Sequence, residues 1–67
     1  MSEKSVWIEG VEIAPEYFPH LYSVAKRSPE GLAINLRELA QKAGNSDLRS
    51  VATTLEHDLE HELRGAN

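Results

Sequence analysis

Apolar residues in the second half of the chain recur at helical spacing. Leu48, Ala52, Leu55, Leu59 and Leu63 form a narrow stripe that Val51 widens at its start, which predicts a helix over residues 47–64. From Leu48 to Leu59 the steps run four, three, four, as in a coiled-coil seam, and Glu62 then interrupts the pattern. Just upstream, Leu36, Leu39, Ala40 and Ala43 share one face and predict a shorter helix over 35–43, with Arg37 and Gln41 pointing away. Its start reads as a capping box, Asn35 exchanging hydrogen bonds with Glu38 while Ile34 folds onto Leu39 as a hydrophobic staple. Gly44 supplies a left-handed terminator. Asn45 or Ser46 then caps the next helix, Asp47 sits at its positive end, and Gly65 closes it after Arg64. The expectation is an antiparallel αα-hairpin.

Toward the N-terminus the period changes. Val6-Trp7-Ile8 and Val11-Glu12-Ile13 flank Glu9-Gly10, a pattern for two short strands and a tight turn over residues 5–13, or for one extended arm. Trp7 is expected in the core or at an interface. Pro15 suits the first position of a helix over 15–27, on which Phe18, Leu21, Tyr22 and Ala25 fall on one face. Pro19 sits either in its first turn or at a second start, and Ser28-Pro29 ends it, leaving Pro29-Glu30-Gly31 as a connector. The expected fold is mainly α: a short N-terminal β-hairpin or arm plus three helices, in one domain spanning 1–67.

Size makes that domain thinly stabilised. A chain of 67 residues buries only about 60% of the surface its unfolded form exposes. Small domains compensate with disulfides, metals or partner subunits. The absence of cysteine removes disulfides and thiolate chemistry and fits a cytoplasmic setting. A homodimer is therefore expected. The first apolar stretch is interrupted by Glu9 and Glu12, so neither a signal peptide nor a membrane span is expected. The formal charge of −4 is uneven: residues 1–18 carry −3, residues 19–45 carry +2 through Lys26, Arg27, Arg37 and Lys42 against two acids, and residues 46–67 carry −3. Acidic ends disfavour tight binding to a phosphate backbone.

Leu36-Arg37-Glu38-Leu39-Ala40-Gln41-Lys42-Ala43-Gly44 resembles the first half of bacterial helix-turn-helix domains, with alanine inside the first helix and glycine in the turn four residues later. The resemblance covers Leu36 to Leu55. It departs after the turn, where Asn45 and Ser50 stand at usually apolar positions. The resemblance implies base reading by Asp47, Arg49, Ser50, Thr53 and Thr54, with Arg37 and Lys42 on phosphates.

His57-Asp58-Leu59-Glu60-His61 matches the His-x-x-Glu-His pattern of inverted zinc metallopeptidases, in which histidines four apart on a helix grip zinc and a glutamate activates water. That family takes a further ligand well downstream, which six remaining residues do not supply. Solvated histidines, with no metal and no cofactor, are the expectation. No phosphate loop or nucleophilic triad is legible, and so small a body rarely encloses a pocket, so no catalysis is expected. The acids Glu56, Asp58, Glu60 and Glu62 read either as a solvated helix side or as a docking face for a basic partner. The resulting expectation is a non-enzymatic regulator, adaptor or inhibitor. It would bind another protein through Thr54, Glu56, His57, Asp58, Glu60, His61 and Arg64, with helix-turn-helix DNA binding through Arg37, Lys42, Arg49, Ser50, Thr53 and Thr54 as the alternative.

Overall fold

A computed structural model of the chain describes residues 4–65. The polypeptide forms an antiparallel hairpin, β1 (Val6–Ile8) and β2 (Val11–Ile13), followed by α1 (Pro19–Arg27), α2 (Pro29–Ala43) and α3 (Leu48–Gly65). It is mainly helical with a short N-terminal hairpin, as the residue pattern predicts. Residues 1–3 and 66–67 of the expected single domain lie outside the described part.

Ile8 pairs with Val11 across a two-residue turn whose members, Glu9 and Gly10, both have positive φ (51° and 80°). That combination matches the right-handed twist of the strands, and Gly10 adopts it without steric cost. The pleat sends Ile8, Val11 and Ile13 into the core and leaves Trp7 and its cross-strand partner Glu12 on the other side. Trp7 is 64% exposed, so it is no core residue.

Helix α1 begins at Pro19, four residues later than the pattern suggested. Residues 15–17 form a turn closed by Phe18 N–H on Ala14 O (2.8 Å). Phe18 then leaves helical geometry (φ −132°, ψ 65°), as a residue before proline tends to do. Only Ser28 separates α1 from α2. Its N–H closes the end of α1 on Val24 O (2.7 Å), and its carbonyl receives Leu32 N–H (3.1 Å) to open α2. Pro29 stands at the first position of α2, where its missing N–H costs nothing.

The start of α2 at Pro29 corrects the expected start at Asn35. The capping box and staple do not form: Asn35 and Glu38 are exposed, and Ile34 lies on the solvent side. Exposing one isoleucine is outweighed by Leu32, which becomes fully buried one turn before Leu36. The other end is as expected. Gly44 is left-handed (φ 63°), and Asn45 N–H reaches Ala40 O (3.0 Å) while Gly44 N–H reaches Gln41 O (3.2 Å). Asp47, rather than Asn45 or Ser46, caps α3, its Oδ1 accepting Arg49 N–H (3.2 Å) and Ser50 N–H (3.5 Å). Asn45 instead holds Asp47 N–H (2.9 Å).

The core gathers Ile8, Val11, Ile13, Phe18, Leu21, Leu32, Leu36 and Val51 around Ala25 and Ala52. Helix α3 turns back along α2, and Leu39 and Leu55 both pack against the core from its edge. No helix among the described residues is long and apolar enough to cross a membrane.

Candidate protein-binding surface

Glu56 stands apart from the acids around it. It is 8% exposed, and its carboxylate turns inward to the start of α1. Phe18, at the cap position of α1, has no side-chain acceptor, and Pro19 has no N–H. The first N–H groups needing a partner belong to His20 and Leu21. Glu56 takes both, Oε1 lying 3.1 Å from His20 N and 2.9 Å from Leu21 N, while Oε2 lies 2.5 Å from His20 Nδ1. Tyr22 N–H returns to Phe18 O (2.7 Å). Glu56 is thus a cap supplied from another helix, and it leaves the set of docking residues.

Of the other expected docking residues, Thr54, His57, Asp58, His61 and Arg64 are exposed on α3, whereas Glu60 is half-buried and paired with Arg64 (2.8 Å). Among the described residues no group of three or more His, Cys, Asp or Glu is placed to hold a metal ion, His57 and His61 included.

The residues of the DNA-binding alternative are dispersed. Arg37 pairs with Glu9 of the hairpin turn. That contact holds the Glu9 carboxyl below the usual glutamate range and raises Arg37, chiefly through the hydrogen bond between them. Lys42 lines an open groove between α2 and α3 floored by Leu39 and Leu55. Thr53 and Thr54 turn their hydroxyls onto Arg49 O (3.1 Å) and Ser50 O (3.2 Å) of their own helix. Arg49 and Ser50 remain exposed on the first turn of α3.

Arg49 also shares a concavity with residues that the sequence pattern did not connect to it. Trp7, Tyr17, Gly10, Val11, Glu12 and Phe18 surround a concavity with Arg49 on its rim. Phe18 and Val11 form its buried floor, whereas Trp7 and Tyr17 (71% exposed) stand around it. The turn over 15–17 faces Tyr17 outward, and Tyr22 is half-buried with Lys26 Nζ 5.5 Å from its ring centre. Ser5 donates to Glu12 (2.8 Å) beside this site. From Arg49, steps of four along α3 pass through Thr53, His57 and His61, all exposed, so the concavity opens onto one continuous ridge.

Strand alternation was the available signal for Trp7: once Ile8 and Val6 face inward, Trp7 faces outward. No comparable signal brings Arg49 to the same concavity, because that juxtaposition joins the hairpin to a helix start some forty positions later. Comparison with known families, curated proteins and solved structures gives no match.

Proposed function

We propose that this chain is a non-enzymatic protein-binding module, a small regulator, adaptor or inhibitor, that docks through the Trp7–Tyr17–Arg49 concavity and the adjoining ridge of α3. The observation that carries this reading is the convergence of an exposed tryptophan, an exposed tyrosine and an arginine around one concavity. These three residue types dominate binding energy at protein interfaces, since each offers large contact area with a polar or charged handle. Exposing Trp7 and Tyr17 to water gains the folded monomer nothing, and a partner would recover that burial. The overall charge of −4 favours a partner with a basic face.

The test is capture of partners from native lysate by the tagged chain, with and without nuclease, alongside a Trp7→Ala/Tyr17→Ala variant. A stoichiometric protein that survives nuclease and is lost with the double variant supports the reading. Two anchors of this kind correspond to a loss of about a hundredfold or more in affinity. Capture unaffected by the variant would sink it. Nuclease-sensitive capture, lost instead with Arg49→Ala/Thr53→Ala, would favour the helix-turn-helix reading.

A further inference from the structure

We propose that a second copy of this chain seats on the groove between α1 and the C-terminal half of α3, forming a two-fold dimer. Val24 of α1 with Leu59 and Leu63 of α3 supply the apolar lining of this open groove of about 580 Å³. Leu59 is half-buried and Leu63 is 57% exposed, so the apolar stripe of α3 runs on past what the monomer covers. The monomer needs that cover. Among the described residues its buried apolar set is eleven, three of them alanine, and the chain has no cysteine to add a disulfide.

The charges argue for a copy of the same chain as the occupant. Arg27 lies on the α1 wall of the groove and Glu62 on the α3 wall, and neither is in an ion pair within the described residues. A two-fold axis running along the groove lays each copy's α1 over the other's α3. Arg27 of one copy then meets Glu62 of the other, twice. The same docking brings α1, with Lys26 and Arg27, against the C-terminal half of α3, where Asp58, Glu60 and Glu62 outnumber Arg64. Self-association by this face is thus electrostatically matched despite the net negative charge. The Trp7 concavity shares no lining residue with this groove, so the dimer is testable apart from that concavity.

Sedimentation velocity over a concentration series tests this. The wild-type chain is expected to dimerise reversibly in the micromolar range. Arg27→Glu and Glu62→Arg, both at exposed positions, should each weaken the dimer about tenfold or more by placing like charges opposite one another. Mixed in equal amounts, the two single variants should regain the dimer, because one chain then carries acids at both positions and its partner carries arginines at both. A chain that stays monomeric at several hundred micromolar overturns the proposal, as does a dimer indifferent to both substitutions. A mixture that remains monomeric also overturns it. A monomeric chain whose lysate partner is lost on Leu63→Lys would assign the groove to that partner instead and equally overturn it.

Discussion

Glu56 shows how one side chain changes meaning with its surroundings. In sequence it is one acid among four on the last helix. In the fold it satisfies the two N–H groups that Phe18 and Pro19 leave to other partners. Glu56→Ala removes both bonds from a buried helix end and is expected to cost about 2–3 kcal/mol. Glu56→Gln, which keeps one acceptor oxygen, should cost less. Urea midpoints of the two variants check this, and equal, negligible losses would deny the cap. Glu9 and Arg37 make a different prediction. Because the Glu9 carboxyl is lowered in the folded chain, its contribution is full above the ordinary glutamate value of 4.5 and is lost as pH falls through the lowered value. Arg37→Met should therefore flatten the acid side of a stability–pH profile, an effect that shrinks in high salt because the pair is exposed.

At the scale of elements, α2 carries the sharpest disagreement between local pattern and fold. A helix beginning at Asn35 would use that residue as its cap, and Asn35→Ala would then cost about 1 kcal/mol. With α2 running from Pro29, Asn35 is an exposed interior position, so Asn35→Ala is expected to leave stability unchanged or slightly higher. Leu32→Ala should instead cost about 2–5 kcal/mol, since Leu32 is fully buried. Thermal or urea melts of this pair of variants distinguish the two starts directly. The reason for the difference is tertiary. Ser28 ends one helix and opens the next, and Leu32 gains a core built by α1 and the hairpin. Local signals around Asn35 contain neither fact. The Gly44 terminator, the Glu9-Gly10 turn and the extent of α3 were legible to within a residue or so, because each depends on local backbone geometry.

For the whole molecule, the two proposed surfaces are separate: the concavity lined by Trp7, Tyr17 and Arg49 is the docking face proposed for another protein, and the α1–α3 groove is the face proposed for a second copy. Dimerisation through that groove would couple stability to concentration by mass action. The melting temperature of the wild-type chain is therefore expected to rise with protein concentration, and that of Arg27→Glu to rise less. Parallel curves would mean that the subunits do not assist one another's folding through this face. Of the candidate site, exposure along α3 was readable from helical period, and Trp7 was readable in principle from strand alternation. The partnership of Trp7, Tyr17 and Arg49 was not, because it depends on how the hairpin and the turn over 15–17 lie against α3.

Residue order alone dictates the element types and their succession, the Glu9-Gly10 turn, the terminator of α2 and the amphipathic character of α3. These follow from φ preferences and periodicities that act over a few residues. Packing between elements sets where α2 begins, which acid of α3 is buried, and which aromatic rings meet water. Those outcomes rest on contacts between residues tens of positions apart, whose free energies exceed the local preferences they override.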